Sequence, residues 1–493
     1  MSLVLLGIAL ILAIILVGIV LFAFRPPTAL VLPCASISIA LIAFLPNFIR
    51  GEVVLSLSKL FTSVIGEGMA RLSMPIIAVF LGAVIAQQVS DAGVTNRILT
   101  YASEFAGDSV FFLTITLLIV TALLFTNIGG LGAVIMVAST IVPLMLAMGI
   151  DKLTAGGVFL MGLSMGGILN PVNWQFYISI LQLTPADVIP FALSLFGIFF
   201  LVAVAFITYR IHRSIGFKRG ELAWLGVILL ILAGIATLLL RVPIFLSAVK
   251  VILFWLLLVL VALLCFGLLL KLLLPRVFFS GQVNALSVSA LIFPVLLLLL
   301  VNLGESCGYI EGLELDIVSA LFTGVAFAHF STLGAGAEVN RLMKALFEGF
   351  RLAIAPILLL LGIGMLLMAV TLPEVTSAVQ PIVQGVIPRG GIAYVLGFTI
   401  LSPLALYRGP LNLYGMGSGI MGLIHGTGIL PPTLNMGAFF SVGMMQGVCD
   451  PTNTHNAWLA GFLGVRVIDL TKVTIAFVGA IVFFGLILAQ VIF

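Results

Sequence analysis

Long apolar runs fill most of this chain, and short polar stretches separate them. Many runs reach the roughly 20 residues that a helix needs to cross a bilayer, and only helices or closed barrels satisfy their backbone hydrogen bonds in lipid. We therefore expect an all-α polytopic protein of the plasma (cytoplasmic or inner) membrane. The predicted spans lie near residues 2–24, 28–48, 73–92, 153–181 and 187–209, with two more at about 222–240 and 246–272 and others beyond residue 282.

Two of the apolar segments carry polar residues that a lipid-facing helix cannot hold, because unpaired polar groups in hydrocarbon are costly. The pattern Met-x-Gly-x-x-[Asn/Asp]-Pro-x-Asn occurs at residues 165–173 and again at 445–453. Proline ends or kinks a helix, so each pattern predicts a broken transmembrane helix. Paired breaks in corresponding positions of two halves are typical of a transporter's binding site.

The two patterns lie 280 residues apart, and other landmarks keep nearly the same spacing. Glu67 and Pro75, for example, match Glu348 and Pro356 with a shift of 281. Applied to the whole chain, this shift places residues 1–212 on residues 282–493. We predict two repeats with these bounds, joined by residues 213–281, which contain two transmembrane helices.

Each predicted repeat also contains a segment that is too short and too interrupted for two spans. Residues 110–148 are interrupted by a Thr-Asn-Ile-Gly-Gly-Leu-Gly stretch, and residues 392–430 by Tyr-Arg-Gly-Pro-Leu-Asn. We interpret both segments as re-entrant hairpins whose polar tips are buried in protein or line a cavity. Each repeat then crosses the membrane five times and the joining segment twice, so the two repeats are inverted.

The positions of basic residues predict which side each loop occupies. The basic cluster at 210–219 places the end of the first repeat in the cytoplasm, and the acidic loop at 305–316 then lies outside. The same topology puts Arg341 and Lys344 in the cytoplasm and both termini outside.

Composition excludes several functional classes. With 62% hydrophobic and 8% charged residues in 493, the chain holds no sizeable soluble domain and no phosphate-binding or dinucleotide-binding fingerprint. The net charge of +4 is spread over short loops, so no nucleic acid partner is expected. The four cysteines follow no metal-ligand spacing. We therefore expect neither an enzyme nor a bound cofactor.

Two hairpin tips and two helix breaks should meet near the membrane midplane, where the repeats join. Freed backbone N–H groups suit a carboxylate, and freed carbonyls suit Na⁺. The alternative is that the breaks are packing kinks whose amides bond across helices. The predicted substrate-binding residues are Thr126, Asn127, Gly129, Gly130, Asn170, Asn173, Arg408, Gly409, Asn412 and Asn453.

Among the predicted binding residues Arg408 is the strongest candidate, because a guanidinium at membrane depth is energetically costly and usually has a function. It can hold a substrate carboxylate through two parallel hydrogen bonds, or it can form an internal ion pair with Asp450, and the two states can alternate. We predict that Asp450 and His455 handle the coupling ion, which is H⁺ or Na⁺. A Na⁺ site is expected near Asn127, Asn170 and Asp450.

Three features together resemble a known group of transporters: the two inverted halves, the segment Gly-Ile-Leu-Asn-Pro-Val-Asn at 167–173, and the cluster Thr-His-Asn-Ala-Trp at 454–458. The chain resembles the ion transporter superfamily, which includes gluconate, citrate and C4-dicarboxylate permeases, TRAP transporter membrane subunits and NhaC-type antiporters. This resemblance implies a homodimer, in which a scaffold supports a mobile transport domain that moves by an elevator mechanism.

Three hypotheses follow for a protein embedded in the lipid bilayer. The first is a secondary active transporter of a small organic anion, a carboxylate such as gluconate, citrate or a C4-dicarboxylate, coupled to H⁺ or Na⁺. The second is an NhaC-like Na⁺/H⁺ antiporter, with Asp450 as the exchanging acid and Arg408 as its counter-ion. The third is a membrane enzyme acting on lipid, which would need a nucleophile–base pair or a metal cluster that the sequence does not display.

Overall fold

The computed structural model describes residues 3–24, 27–95, 97, 98, 100, 109–127, 130–214, 243–274, 285–333 and 338–493. Every regular element in these residues is a helix, which confirms the all-α prediction. The α-helices of at least five residues are α1 (Leu3–Phe24), α2 (Thr28–Ile49), α3 (Val53–Lys59), α4 (Ser73–Asp91), α5 (Val110–Phe125), α6 (Gly130–Ala147), α7 (Lys152–Ile168), α8 (Pro171–Leu181), α9 (Pro185–Ser214), α10 (Pro243–Leu273), α11 (Ala285–Ser289), α12 (Phe293–Ser306), α13 (Ile317–Ser331), α14 (Glu338–Val370), α15 (Pro373–Val386), α16 (Gly391–Leu401), α17 (Ser418–Thr427), α18 (Pro432–Cys449), α19 (Thr454–Leu463) and α20 (Val467–Ile492).

Within the described ranges, eight helical stretches are long and apolar enough to cross a membrane, and the bent pair α7–α8 makes a ninth. The prediction of a multi-pass membrane protein is confirmed to this extent. In the joining segment, α10 corresponds to the predicted run 246–272, whereas the run 222–240 lies outside the described residues. The inverted relation of the repeats and the re-entrant path of the hairpins stay predictions.

The predicted span 153–181 is a broken helix. Its two parts, α7 and α8, bend by 54° at the break. The last turn of α7 is closed by the backbone N–H of Leu169, which donates to the carbonyl of Gly166 at 3.1 Å. Pro171 begins α8, where the missing backbone N–H of proline leaves no hydrogen bond unmade.

Helix pairs also occupy the two predicted hairpins. In the first, α5 and α6 are connected through a turn that begins at Thr126. In the second, α16 continues into a kinked helical turn at Ser402–Arg408, and the irregular residues Leu413–Gly417 lead into α17. The second hairpin is therefore the more irregular of the two.

The chain divides into two compact units, and the first contains Met1–Val79, Val172–Val202 and Leu352–Phe493. In this unit α18 packs on α20, and α1 packs on α2 and α15. Glycines allow the closest approaches: a Cβ at Gly364 would lie 2.2 Å from the carbonyl oxygen of Gly68. One at Gly485 would lie 2.6 Å from the hydroxyl of Ser441.

The second unit contains Phe80–Pro171 and Ala203–Arg351. Here α5 packs on α7, because Gly166 lets the helices approach until a Cβ would lie 2.7 Å from the side chain of Phe125. Both units combine segments from the two predicted repeats. This division therefore does not test the predicted bounds 1–212, 213–281 and 282–493, which stay a prediction.

Candidate functional site

The second broken helix is hydrogen-bonded within the protein. Four residues, Pro451 among them, separate α18 from α19. The side-chain amide of Asn456 donates to the carbonyl of Val448 at 3.1 Å and to the carbonyl of Asp450 at 2.9 Å. Carbonyl groups freed by the break are thus satisfied without water, which membrane depth requires.

The carboxylate of Asp450 is surrounded by hydrogen-bond donors and is 0% exposed. Its Oδ1 accepts from the backbone N–H of Tyr407 at 2.9 Å, and from the backbone N–H and hydroxyl of Thr452 at 2.9 and 2.7 Å. Its Oδ2 accepts from the amide of Asn412 at 3.1 Å and from the backbone N–H of Arg408 at 3.4 Å. Asp450 therefore binds the tip of the second hairpin to the break in α18–α19 through charge-assisted hydrogen bonds.

The hairpin tip that contacts Asp450 has a strained backbone. Tyr407 and Arg408 both have left-handed conformations, with φ of 57° and 56°. For residues other than glycine this conformation costs about 1–2 kcal/mol each. Their consecutive N–H groups converge on one carboxylate, as in other backbone concavities that bind anions. At Gly409 a Cβ would lie 2.2 Å from the carbonyl of Leu404, so the tip has no room for a side chain there.

The guanidinium of Arg408 does not contact Asp450. Its Nη1 donates to the hydroxyl of Thr28, at the start of α2. Over the described ranges, the ion pairs of the structure do not include Arg408, and its side chain is half-buried. The alternative of an internal ion pair between these side chains is thus not found: Asp450 contacts the backbone N–H of Arg408 instead, and the arginine charge has no carboxylate partner among the described residues.

Two of the predicted binding amides stabilise this region: Asn412 connects the hairpin to the break, and Asn453 bonds back to α18. The amide of Asn412 donates to the carbonyl of Ala405 at 2.9 Å in addition to its contact with Asp450. The amide of Asn453 donates to the carbonyl of Gln446 at 2.7 Å. The side chain of Gln446 in turn accepts from the backbone N–H of Leu413 at 2.8 Å.

Residues of the first broken helix meet the second hairpin within the first unit. The hydroxyl of Tyr414 donates to Oδ1 of Asn173 at 2.8 Å, and its ring centroid lies 5.6 Å from that of Phe176. Beside them the ring of Tyr177 stacks on Phe440 at 4.8 Å. Asn173 thus takes part in a polar contact that is surrounded by aromatic side chains. Sites for small organic molecules typically combine a few polar groups with an aromatic lining in this way.

The tip of the first hairpin lies in the second unit. The hydroxyl of Thr126 donates to the carbonyl of Leu123 at 2.7 Å, which closes the end of α5. Gly130 begins α6 with a φ of 83°, a value that favours glycine. Gly129 lies outside the described residues.

Two asparagines of the second unit are also predicted binding residues. Asn127 donates through its amide nitrogen to the carbonyl of Leu291, while its buried Oδ1 has no partner in the part of the chain that the structure describes. Asn170 donates weakly to the carbonyl of Phe125, at 3.5 Å. Oδ1 of Asn127 is therefore an acceptor that a ligand or ion could use.

The predicted ion-coupling residues differ in their surroundings. Nε2 of His455 lies 3.3 Å from the carbonyl of Gly447, and the ring is half-buried in the first turn of α19. Both carboxylate oxygens of Asp450, which were predicted to contribute to a Na⁺ site, already accept hydrogen bonds. Over the described ranges no group of three or more His, Cys, Asp or Glu could hold a metal ion.

Sequence patterns did not identify three residues of this site. Gln446 is a polar residue in an apolar helix, and this signal could have identified it. Tyr414 resembles an ordinary buried aromatic, and only its contact with Asn173 distinguishes it. Thr28 lies 380 residues from Arg408, so no local pattern connects the two.

No protein-family model and no curated protein matches this chain. Among solved structures, the Alcanivorax borkumensis YdaH transporter, described as having an unusual topology, aligns with 94% of this chain and 98% of that chain. The sequences are 13% identical, and the TM-score is 0.48. A TM-score below 0.5 does not establish a shared fold, and no functional inference follows from this likeness.

Proposed function

We propose that this chain is a secondary active transporter of a small organic anion, a carboxylate such as gluconate, citrate or a C4-dicarboxylate. The observation that carries the proposal is Arg408, a half-buried guanidinium with no ion pair among the described residues, beside a helix break in a strongly apolar chain. A cation at membrane depth is costly without a counter-charge. An anionic substrate would supply that charge.

Thr28, Tyr414 and Asn173 extend the proposed site beyond the guanidinium. Because Thr28 accepts from Nη1, it fixes the plane of the guanidinium and leaves the remaining N–H groups of Arg408 for a substrate carboxylate. The paired hydroxyl of Tyr414 and amide of Asn173 suit a hydroxyl or a second carboxylate of the same substrate. This combination favours hydroxy acids and dicarboxylates over purely apolar acids.

In this proposal Asp450 couples ion binding to the shape of the second hairpin. A proton on the carboxylate would turn one acceptor into a donor, so a donor of the tip or the break would lose its partner. The left-handed backbone at Tyr407 and Arg408 would then relax and change the position of the guanidinium. Na⁺ needs free oxygen ligands, and the oxygens of Asp450 face donors instead. We therefore favour H⁺ over Na⁺ as the coupling ion, with His455 on the next turn as a proton relay.

The order of the helices supports the proposed repeat. Shifted by 281 residues, α7 falls on 433–449, where α18 lies, and α9 begins at 466, one residue before α20. The start of α5 falls on 391, the first residue of α16. Two matching halves are compatible with the elevator movement and the homodimer that the resemblance implies.

Substrate-driven current in proteoliposomes tests the proposal. The purified protein should give a saturable current with one of gluconate, citrate, malate or succinate, each measured with and without Na⁺ and with and without a pH gradient. Arg408→Gln should abolish the response. Arg408→Lys should restore only part of it, because an ammonium cannot offer two parallel donors. H⁺ coupling predicts a current that follows the pH gradient in the absence of Na⁺.

Arg466→Gln is the matched control, because this arginine is exposed and pairs with Asp469 on its own helix. It should leave the current unchanged. The antiporter hypothesis predicts a different pattern: no response to any organic acid, and a proton movement driven by Na⁺ jumps that depends on Asp450. That pattern would refute the anion transporter.

A further inference from the structure

The second unit contains a polar crevice that the proposed transport site does not use. It is partly open and is lined by residues at the end of α4, the end of α13 and the start of α14. Its polar lining consists of Gln88, Asp91, His329, Thr332 and Arg341.

Gln88 is the first sign that this crevice holds a ligand. Its side chain is 6% exposed, yet neither Oε1 nor Nε2 has a hydrogen-bond partner among the described residues. An unsatisfied polar atom in the interior is destabilising, and the Gln88 amide contains two such atoms. A ligand that both donates and accepts a hydrogen bond would satisfy the amide.

Arg341 is the second sign, and it is independent of the first. Its side chain is half-buried, and it forms no ion pair within the described ranges. Asp91, the acidic residue of the lining, is engaged by Gln87 at 2.8 Å and by Lys344 at 3.6 Å. The guanidinium of Arg341 is therefore available to an anion.

The surrounding charge also favours an anion. Lys271 is 4% exposed and donates to the carbonyl of Ser331, the residue before Thr332 in the lining. Lys344, which pairs with Asp91, and Arg341 give two positive charges against the one carboxylate of the described lining. A bound anion would offset this excess.

We propose that this crevice binds a phosphate group. Phosphate oxygens match the planar fork of Arg341. A phosphomonoester carries a charge of about −1.5 to −2 at pH 7, so part of the population retains a P–OH that can donate to Oε1 of Gln88. A carboxylate has no proton to donate at that pH. The amide of Gln88 thus selects a monoester or free hydrogen phosphate over a phosphodiester or a carboxylate.

Two sources supply such a group: the headgroup of an anionic lipid, or free phosphate in the cytoplasm, where the sequence places Arg341 and Lys344. Basic pockets between transmembrane helices on that side are known to bind lipid headgroups. Phosphatidic acid is a phosphomonoester and phosphatidylglycerol is a phosphodiester, and both are anionic. A comparison of the two lipids therefore distinguishes recognition of the monoester from a general attraction to negative charge.

Thermal unfolding of the purified protein in detergent tests the proposal. Separate titrations use inorganic phosphate, short-chain phosphatidic acid and short-chain phosphatidylglycerol, with sodium chloride at matched ionic strength as the reference. Binding to the folded state raises the unfolding midpoint in a saturable way. Stabilisation by inorganic phosphate identifies a free anion, and stabilisation by phosphatidic acid alone identifies a headgroup. A response to neither, or an equal response to chloride, overturns the proposal.

Three variants locate the response. Gln88→Leu and Arg341→Gln should each weaken the apparent affinity at least about tenfold, since each removes hydrogen bonds to a charged group. Gln88→Leu removes two unsatisfied polar atoms, so the ligand-free variant should fold at least as stably as the wild type. Arg351→Gln, on the same helix and exposed, should respond like the wild type. Unchanged binding in both crevice variants would show that the ligand binds elsewhere. Arg408→Gln should retain the response, so failure of the transport proposal would not affect this test.

Discussion

Asp450 illustrates how one buried carboxylate can define a local structure. Its five hydrogen bonds come from the hairpin tip and from the helix break, so it joins two segments that are otherwise irregular. The left-handed pair at Tyr407 and Arg408 costs about 2–4 kcal/mol in total. Hydrogen bonds to a charged acceptor contribute about 1.5–3 kcal/mol each, which is enough to maintain this conformation.

Asp450→Asn should therefore destabilise the tip. The amide NH₂ would face a donor, so at least one contact with the tip or the break is lost, at a cost of roughly 2–5 kcal/mol. We expect a lower thermal midpoint and faster hydrogen exchange at residues 406–412. Asp469→Asn provides the control, since Asp469 pairs with the exposed Arg466 on one helix turn. Equal effects of the two substitutions would show that the buried hydrogen bonds of Asp450 stabilise the protein no more than an exposed ion pair does.

Residue identity could be predicted at this site, but contact geometry could not. Asp450 and Arg408 stand out because charged residues interrupt apolar runs. Their opposite charges suggested a side-chain pair, whereas the contact runs through the backbone N–H of Arg408. The pattern of hydrophobic residues does not predict the left-handed backbone of Arg408, at φ of 56°. This conformation depends on the contacts that the folded protein makes around the residue.

Helix contacts in the first unit depend on glycine at the crossing of Gly68 and Gly364. A Cβ at Gly364 would lie 2.2 Å from a backbone oxygen, which cannot rotate away as a side chain can. Small residues of this kind let helices pack closely in membranes. The hydrophobic effect does not bring helices together there, so close van der Waals packing matters more. The crossing therefore tolerates no added methyl group.

Gly364→Ala should destabilise the protein by at least about 1–3 kcal/mol, the usual cost of overpacking. Gly479→Ala is the matched control, because nothing lies within 4 Å of the position of its added Cβ. Alanine favours a helix over glycine, so the control should be neutral or slightly stabilising. Thermal unfolding of both variants measures the difference. A stable Gly364→Ala variant would show that the helices separate without cost.

The N-terminus of α7 predicts a pH dependence in the second unit. Asp151 accepts from the backbone N–H of Thr154 at 3.0 Å, and Nη2 of Arg210 lies 2.8 Å from the same carboxylate. Burial raises the pKa of Asp151, but the hydrogen bonds from Thr154 and the charge of Arg210 outweigh it, so the pKa lies below its ordinary value. A lowered pKa stabilises the fold above the ordinary value, and this stabilisation is lost as the pH falls through the folded-state value.

Asp151→Asn keeps a good N-cap and removes only the charge. The wild type should be more stable at neutral pH, by less than about 1 kcal/mol because the pair is partly exposed. The difference should begin to shrink at about pH 4, the ordinary value, and disappear only once the pH falls below the lowered folded-state pKa. Asp316→Asn offers a comparison, since Asp316 caps α13 through Ser319 and has no arginine partner among the residues that the structure describes. Added salt should reduce the difference more at Asp151 than at Asp316.

The apolar runs predicted most helices, because the bilayer fixes the length that a span needs. Proline and asparagine in the middle of a run predicted the break between α7 and α8. The π-helical turn at Leu60–Glu67 was not predicted. A π-turn inserts one residue without changing the composition of the segment, so the hydrophobic pattern carries little sign of it.

At the scale of the whole molecule, the inverted arrangement of the repeats makes a direct prediction. Pro27 and Glu311 lie in loops that correspond under the shift of about 281 residues. Inverted repeats place these loops on opposite sides of the membrane, whereas parallel repeats place them on the same side. Cysteines introduced at the two positions, in a protein without its native cysteines, can be labelled with an impermeant maleimide.

We expect Glu311→Cys to react in intact cells and Pro27→Cys to react only after the membrane is permeabilised. Arg466→Cys, in a predicted cytoplasmic loop just before α20, should behave like Pro27→Cys and serves as the internal control. Reaction of Pro27→Cys and Glu311→Cys on one side would contradict the inverted relation.

The first unit unites the beginning and the end of the chain, and this sets the order of events during biosynthesis. Thr28 and Arg408 are 380 residues apart. At about 5–20 residues per second, a ribosome completes Arg408 roughly 20–80 s after Thr28. For most of that interval α1 and α2 reside in the bilayer without α15, and throughout it without α18 and α20, which follow Arg408 in the chain. A stop codon at residue 352 would therefore remove the largest segment of the first unit and leave the whole of the second unit encoded. The first two helices would then remain in the membrane without their packing partners, where quality-control proteases act on unassembled helices.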